Sequence, residues 1–435
     1  TAFFHWTVLK IRFLILEISG IFPYFSAKSK NRPMKKSVII LLVFFIIWPA
    51  FTQEAIPQKQ NNTIFPPQFD LRGNGNVSPV KDQGTCGCCW AFATMAAIES
   101  NWLMNGYGLY DLSEDNLINC QNYDNTPCYG GNFYMSSSMF GRHAGPVLES
   151  EDPYGDTTAI KNCPSGSFTI YPTAFIPDVR FIPNDMNTIK ETLMNEGAIA
   201  TTMIFDMAYY NPTNYTYLYG GTGGYNHCIT VIGWDDNKQT ASANNGAWLI
   251  KDSYGTGWAM GGYFYVSYDD PIMFTEAAIF PVRYPILPAN PTYVYYEDEF
   301  GWIDNKGFSS TTGYGLAYYT IMPQQGNLAP QKIKRIGTYA VEANTELHIE
   351  VYSQFDGSTL SGLRYETDYS CEFPGFYTIP ISLNTDTIFT DIYIKVKYET
   401  PANQNPIPVE IYEANYTSTI QLQTDHNWYS SDGTN

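Results

Sequence analysis

One cysteine and one histidine in this sequence could form a nucleophile and its acid–base partner. Cys89 opens residues 89–105, an apolar, alanine-rich stretch without proline that is followed by Gly106. That pattern predicts a buried helix, and the N–H groups and dipole of its first turn would stabilise a thiolate on Cys89. His227 lies 138 residues after Cys89, immediately before a strand-like apolar run. The pair could therefore perform nucleophilic catalysis.

The residues around Cys89 resemble a known signature. Residues 83–92 read Gln-Gly-Thr-Cys-Gly-Cys-Cys-Trp-Ala-Phe and closely resemble the active-site signature of papain-like cysteine proteases. In that pattern the nucleophile falls on Cys89, and the spacing to His227 is within the family's interval of about 130–150 residues. Residues 112–120 and 128–131 resemble the family's LSEQ-type helix and its glycine-bearing substrate loop. The resemblance implies hydrolysis of polypeptide substrates through a thioacyl-enzyme.

The resemblance also implies roles for single side chains. Cys89 would attack the carbonyl carbon, and His227 would protonate the leaving amine. The side-chain amide of Gln83 and the backbone N–H of Cys89 would donate to the developing oxyanion. The implied substrate-binding residues lie in the glycine loop, on the leaving-group side and next to the histidine: Gly130, Gly131, Trp258 and Cys228.

Two positions depart from the family's pattern. Residues 252–258 read Asp-Ser-Tyr-Gly-Thr-Gly-Trp, so Asp252 replaces the family's orienting Asn, and Tyr254 replaces the Trp that shields it. We expect Asp252 to hold His227 through an Nδ1–H bond and its charge to raise the pKa of that histidine. The resulting hypothesis is a retained activity with a shifted pH profile. A decayed, inactive enzyme is the alternative.

The cysteines allow more than one interpretation. By resemblance to the family, Cys86 pairs with Cys128 and Cys120 pairs with Cys163. Besides the nucleophile, this leaves three cysteines unassigned: Cys88, Cys228 and Cys371. Residues 86–89 could instead bind a metal, but no second cluster supplies ligands and the five histidines are scattered. We therefore expect no metal and no cofactor.

The first 67 residues divide into three parts. Residues 1–33 precede the first methionine and are interpreted as upstream translation that is not native protein. Residues 34–52 carry two lysines before a short apolar run, which is typical of a signal peptide; an uncleaved anchor is the alternative. Residues 53–67 form a short lead-in. We expect a protein that is secreted or held at the cell surface, with no membrane contact beyond the signal peptide.

A change of pattern near residue 285 separates two globular parts. Residues 68–284 mix helical and strand-like patterns, residues 285–292 form a proline-rich linker, and residues 293–435 alternate with period two. The expected fold class is α+β: a papain-like protease domain with a helical lobe and a β-barrel-like lobe, followed by an all-β sandwich. The second part resembles the lectin-like domain of bacterial and archaeal family members, and its end suggests a C-terminal truncation.

The first part carries helix and strand signals that can be located individually. Its predicted helices are residues 89–105, a segment capped by Ser113, and residues 185–196. Its predicted strands are residues 198–204, 228–234, 247–251 and 263–268.

Composition limits the partners of this chain. The formal net charge of −18 argues against nucleic-acid binding, which requires a cationic face. The lectin-like resemblance makes cell-surface glycans a candidate partner through exposed aromatic side chains, although no calcium loop of the D-x-D-x-D-G kind is present. We expect the chain to act as a monomer.

Two functions from different classes fit these patterns. The first is a secreted cysteine-type peptidase, and the second is a catalytically impaired papain-fold protein that serves adhesion or binding at the surface. A pure scaffold has no need of Cys89, His227 and Gln83, so their presence favours the enzyme. No candidate occluding insertion is visible near the cleft, which favours an endopeptidase.

Overall fold

The computed structural model describes nine segments of the chain, and these carry all the structural statements below. They are residues 15–20, 64–124, 127–155, 172–282, 292–296, 299–321, 331–384, 390–418 and 427–433. The predicted signal peptide, residues 34–52, lies outside them. Most of the predicted linker, residues 285–292, also lies outside, so both remain predictions.

The α-helices are short except for the first. Their bounds are α1 Cys89–Met104, α2 Glu114–Asn119, α3 Phe133–Gly141 and α4 Met186–Asn195, with 3₁₀ turns at Leu71–Asn74 and Met207–Tyr209. The predictions for α1, α2 and α4 are confirmed. The Ser113 hydroxyl accepts the N–H of Asn116 at 2.9 Å, and the Asp185 carboxylate accepts the N–H of Thr188 at 2.8 Å. Helix α3 was not predicted.

Most described strands lie in two sheets. Their bounds are β1 Ile15–Gly20, β2 Gln68–Asp70, β3 Val179–Phe181, β4 Ile199–Met203, β5 Tyr210–Asn211, β6 Thr216–Tyr217, β7 His227–Asp235, β8 Ala247–Lys251, β9 Tyr263–Ser267, β10 Ala277–Ile279, β11 Thr292–Tyr295, β12 Asp304–Lys306, β13 Thr312–Ile321, β14 Gln331–Ala340, β15 Thr345–Phe355, β16 Leu360–Cys371, β17 Gly375–Asn384, β18 Thr390–Glu399, β19 Ile407–Val409 and β20 Asn427–Ser430. The larger sheet has the order β11-β1-β14-β17-β3-β10-β4-β7-β8-β9-β6-β5 with β2 beside β7, and the smaller has the order β16-β15-β18-β13-β20. Strands β12 and β19 form a separate pair.

Helix α1 is the central element of the first domain. Almost all of its residues are buried, so it has no solvent-facing stripe and must be enclosed on every side. It packs against strands β4 and β7. Because Cys89 is the first residue of α1 and His227 is the first residue of β7, this packing brings the two predicted catalytic residues together.

The second domain is a sandwich of β strands. Strand β13 alternates between half-buried and buried residues, as a strand with one covered face must. Its buried face joins that of β15 and β18 in one apolar core with β14 and β17 of the other sheet. The predicted α+β fold class with an all-β sandwich is confirmed.

The two domains share a sheet, which the sequence did not predict. Strand β3 of the first domain pairs antiparallel with β17 of the second, through Val179 opposite Phe376 and Arg180 opposite Gly375. Side chains reinforce the junction: the Ser137 hydroxyl lies 2.9 Å from that of Tyr339. One apolar core extends from α1 to buried rings of the second domain. The sandwich is therefore part of the framework that supports the first domain.

A buried ionic cluster stabilises the loop before α2. The Lys81 ammonium lies 2.9 Å from a Glu114 oxygen, 2.7 Å from an Asp111 oxygen and 3.6 Å from a Glu99 oxygen. Burial raises the pKa of Glu114 to about 8, although Lys81 opposes that rise. Without Lys81 the Glu99 and Glu114 carboxyls would lose the ammonium that forms ion pairs with them in the interior.

We therefore expect Lys81→Met to lower the free energy of unfolding by about 3 kcal/mol. Urea denaturation followed by fluorescence would measure the change. The control is Lys306→Met, because Lys306 pairs at 2.8 Å with Asp304 in a more exposed setting, where a pair contributes at most about 1 kcal/mol. Equal losses in the two variants would contradict this account.

Candidate active site

Cys89 occupies the first position of α1. An N-terminal residue has no carbonyl one turn earlier to accept its N–H, so the N–H of Cys89 is available to a ligand. The preceding residue, Cys88, forms no side-chain cap. The first turn of α1 therefore keeps its positive end directed at the Cys89 thiol and at anything bound beside it.

His227 is held by two neighbours. Its Nε2 lies 2.9 Å from Oδ1 of Asp252, and its ring stacks on Tyr254 with centroids 4.9 Å apart and planes 11° from parallel. The expectation that Asp252 would bind Nδ1 is wrong: the imidazole is turned so that Nε2 faces the carboxylate. This orientation leaves Nδ1 as the nitrogen available to Cys89, and Tyr254 shields the ring where the family carries Trp.

The contacts of Cys89 and His227 favour an ion pair. Hydrogen bonding from Cys228, together with hydrogen bonding and charge from His227, outweighs burial and lowers the pKa of the Cys89 thiol. Burial alone would lower the pKa of His227, but the charge and hydrogen bond of Asp252 and the contact with Cys89 raise it to about 10. A thiolate beside an imidazolium is the form that can both attack a carbonyl and protonate an amine.

Asp252 follows strand β8 in a buried turn. Its Oδ1 also accepts the N–H of Ser253 at 2.8 Å, which fixes the carboxylate relative to the backbone. Its Oδ2 is buried and has no hydrogen-bond partner among the described residues. The charge is therefore directed at His227 and little else, which explains its effect on that histidine's pKa.

Gln83 is buried in the loop that precedes Cys89. Its Nε2 donates to the Cys86 carbonyl at 2.7 Å, and its Oε1 accepts the Ser253 hydroxyl at 2.6 Å. An amide nitrogen carries two hydrogens, so one N–H remains for an oxyanion. Ser253 was not singled out in the sequence, yet its bond to Oε1 orients the whole amide.

The glycine loop is bonded to the loop that precedes Cys89. The predicted Cys86–Cys128 disulfide is confirmed, and the Gly130 N–H donates to the Gly87 carbonyl at 2.9 Å. A Cβ on Gly131 would lie 2.3 Å from the Trp90 ring, so no other residue fits there without displacing it. Close packing on Trp90 therefore explains the glycine at position 131.

An aromatic wall lies on the other side of His227. The ring of Phe205 is 5.8 Å from that of His227 and 5.7 Å from that of Trp258, and Trp258 is 6.1 Å from Tyr254. Phe205 was missed in the sequence because nothing in its immediate neighbourhood marks it. Its position follows from the pairing of β4, which precedes it, with β7.

The remaining cysteines differ sharply from Cys89. Burial raises the pKa of the Cys88 thiol to about 12, and its Sγ lies 3.2 Å from the Tyr154 hydroxyl. Cys371 is a buried free thiol, and burial also raises its pKa. Cys120 is disulfide-bonded, whereas Cys163 lies outside the described residues, so their pairing remains a prediction.

Neither a metal site nor a membrane-spanning helix occurs in the described ranges. They contain no group of three or more His, Cys, Asp and Glu side chains arranged to hold a metal ion. No helix within them is long and apolar enough to span a bilayer.

Comparisons with known proteins match a family to each domain. The profile of the papain family of cysteine proteases matches residues 65–281, and that of a lectin-like domain matches residues 294–435. Mouse cathepsin F is 30% identical over 48% of this chain and 44% of its own length, and bovine pro-cathepsin H is 32% identical over 46% and 60%. The match thus spans less than two thirds of these relatives' length.

Solved structures show the same two-domain fold. The clostridial cysteine protease Cwp84 after propeptide cleavage superposes with a TM-score of 0.68 at 19% identity, over 84% of this chain and 93% of that one. A second structure holds the cysteine protease and lectin-like domains of Cwp84, a surface layer associated protein of Clostridium difficile, and superposes with a TM-score of 0.65. Residues 65–281 of this chain are therefore a papain-family cysteine protease domain, and residues 294–435 are a lectin-like domain.

Proposed function

We propose that this chain is a secreted or surface-held cysteine endopeptidase in which Cys89 is the nucleophile. One observation carries the proposal: the Cys89 thiol, at the first turn of α1, contacts a His227 whose other nitrogen is bonded to Asp252. A nucleophile, its acid–base partner and an orienting group are the three parts that covalent catalysis needs. The pair of Cys89 and His227 is the feature that a binding scaffold would not require.

The proposed reaction has two stages. The Cys89 thiolate attacks the peptide carbonyl, and the oxyanion receives the backbone N–H of Cys89 and the free N–H of Gln83. His227 gives its proton to the departing amine, which leaves a thioester on Cys89. His227 then takes a proton from water as the water attacks the thioester, and the thiolate returns. Asp252 stabilises the imidazolium throughout.

The substrate residues on the two sides of the scissile bond would contact different residues of the cleft. The backbone of Gly130 and Gly131 would lie along an extended substrate beside Cys89. Cys228 adjoins the nucleophile on strand β7. Trp258, with Phe205, would line the leaving-group side.

The test is covalent labelling of the purified full chain by a thiol-reactive peptide epoxide, located by mass spectrometry. We expect an adduct on Cys89 under reducing conditions, none in Cys89→Ala, and hydrolysis of a quenched peptide library by the unmodified chain. An unlabelled Cys89 across roughly pH 4–9, the range in which its thiolate should exist, would support the alternative of an impaired protein that serves binding.

Placement outside the cell is supported by the charge pattern of residues 34–52 and by the fold shared with Cwp84, whose structure is described as that of a surface layer associated protein. Sequencing the N terminus of the protein from its natural source would test the signal peptide. An intact N-terminal extension that includes residues 34–52 would contradict it.

Glycans are the partner proposed for the lectin-like domain. Half-buried aromatic rings form a group on its smaller sheet: Tyr318 stacks on Tyr393 at 4.9 Å, and Phe355 lies 5.3 Å from Trp428. Such rings can stack against the faces of sugars. A screen of immobilised glycans tests this part of the proposal, and absence of binding would remove it.

A further inference from the structure

A second thiol that the proposed mechanism does not use lies against the nucleophile. Cys228 is the second residue of β7, directly after His227, and its thiol forms a side-chain hydrogen bond with that of Cys89. Both cysteines are free thiols, and the disulfide nearby joins Cys86 to Cys128 instead. Two free thiols in contact are the reactants from which a disulfide forms.

The contact between these two thiols follows from the way α1 packs on β7. Cys89 and Ala93 are four residues apart on one face of α1, and Cys228 and Thr230 are two residues apart on one face of β7. The Thr230 hydroxyl donates to the Ala93 carbonyl at 3.5 Å. Four helical residues advance about 6 Å and two strand residues about 6.6 Å, so one step back along both elements places Cys228 opposite Cys89. The backbone therefore fixes the pair.

The two thiols differ in protonation and in access to solvent. Hydrogen bonding from Cys228 lowers the pKa of Cys89, burial opposes this, and the hydrogen bond and charge of His227 lower it further. The same hydrogen bond, followed by burial, raises the pKa of Cys228. Cys89 is 9% exposed and Cys228 is 3% exposed. An oxidant from solvent therefore meets a thiolate at Cys89 first, with the protonated thiol of Cys228 behind it.

We propose that Cys228 is a resolving cysteine: after a hydroperoxide oxidises Cys89, Cys228 closes a disulfide with it, which stops catalysis until a thiol reductant opens the bond. This inference rests on the proposed peptidase function, because it requires a reactive thiolate on Cys89. The disulfide would also protect the nucleophile, since further oxidation to the sulfinic and sulfonic acids is irreversible to thiol reductants.

The reaction proceeds in two steps. The Cys89 thiolate attacks one oxygen of hydrogen peroxide: the S–O bond forms, the O–O bond breaks, and the departing hydroxide takes the proton of the His227 imidazolium to become water. Cys89 is thereby oxidised by two electrons to a sulfenic acid. The sulfur of Cys228 then attacks that of Cys89: the S–S bond forms, the S–O bond breaks, and the hydroxide leaves as water with the proton of the Cys228 thiol. One peroxide and the two protons thus give two water molecules.

The first step prepares Cys228 for the second. The hydrogen bond to Cys89 and the charge of Cys89 are two of the causes that raise the pKa of Cys228, and burial and the charge of Glu276 are the others. A sulfenic acid is uncharged, so oxidation of Cys89 removes the charge and weakens the hydrogen bond. The Cys228 thiol then gives up its proton more readily. The two sulfurs start in contact and must close to about 2 Å.

The experiment treats the reduced full chain with hydrogen peroxide, measures peptide hydrolysis before and after dithiothreitol, and maps disulfides by mass spectrometry without reduction. We expect peroxide to lower the activity at least tenfold, a cross-linked peptide pair that joins Cys89 to Cys228, and recovery of at least half of the activity with dithiothreitol. Cys228→Ser cannot form that bond. Relative to its own untreated activity, this variant should recover less than a tenth, with Cys89 present as the sulfinic or sulfonic acid.

Cys88→Ala is the matched control, because Cys88 adjoins Cys89 in sequence but its Sγ lies 3.2 Å from the Tyr154 hydroxyl. It should recover as the unmodified chain does. Epoxide labelling of the reduced chain separates the two conclusions. In a chain that is labelled on Cys89 and turns over, absence of the Cys89–Cys228 linkage, or full recovery of Cys228→Ser, would overturn this inference alone. A reduced chain that is neither labelled nor active would overturn the proposed function and this inference with it.

Discussion

Cys89→Ala is expected to abolish peptide hydrolysis, with kcat/KM lowered by at least about 10⁴-fold, whereas Cys88→Ala retains most of it. The two neighbouring thiols differ in their surroundings. Contacts with Cys228 and His227 lower the pKa of Cys89, while burial raises that of Cys88. Of these two thiols, only that of Cys89 can be a thiolate near neutral pH. Hydrolysis of a fluorogenic peptide under reducing conditions measures both variants.

The Cys88→Ala variant is a matched control because it removes the same group one residue away. A modest loss is expected there, since the Cys88 thiol contacts Tyr154, whose hydroxyl donates to the Gln83 carbonyl at 2.7 Å. If Cys88→Ala were as inactive as Cys89→Ala while still folded, the assignment of the nucleophile would be wrong.

Asp252→Asn is expected to move the alkaline limit of activity to lower pH by about two pKa units, with kcat/KM at pH 9 reduced roughly tenfold. Activity requires the imidazolium of His227, so it falls as pH rises through the pKa of that group. The Asp252 carboxylate raises this pKa, together with Cys89 and against burial, to about 10. An amide can keep the hydrogen bond to Nε2 but carries no charge. Profiles of kcat/KM against pH for both proteins measure the shift.

Below neutrality the Asp252→Asn variant should approach the parent's activity, because the imidazolium is populated in both. The control is Asp269→Asn at an exposed position, which should leave the alkaline limit in place. An unchanged alkaline limit in Asp252→Asn would show that the carboxylate does not set the histidine's pKa. Loss of activity at every pH would refute the hypothesis that Asp252 substitutes for the family's Asn with a shifted profile.

Tyr254 helps to decide between an active enzyme and a decayed site. It stacks on His227 nearly in parallel and lies 5.8 Å from Phe205, so the hydrogen bond to Asp252 is covered on that side despite the missing Trp. A decayed site would be under no constraint to preserve such cover. The arrangement therefore favours the enzyme over the impaired scaffold.

Local signals in the sequence were sufficient for several elements. Helix α1 follows from a long apolar run without proline, and α2 follows from its Ser113 cap. Helix α4 follows from the apolar residues Met186, Ile189 and Leu193 on one face, before Gly197. Helix α3 was missed because residues 133–141 combine aromatic and serine residues of middling helix propensity, and its Asn132 cap resembles an ordinary loop residue. Its helical state depends on packing against both domains.

The sequence by itself determined the family, the two-domain order and the pair of Cys89 and His227, because each is encoded in a contiguous motif or in the spacing of two motifs. The tertiary structure alone decided which nitrogen of His227 meets Asp252, because a ring's rotation depends on the neighbours that enclose it. It alone joined β3 to β17 and placed the Asn132 amide 3.1 Å from the Tyr416 hydroxyl. Those contacts link residues 195 or more positions apart, and only the packing of the whole chain brings them within reach.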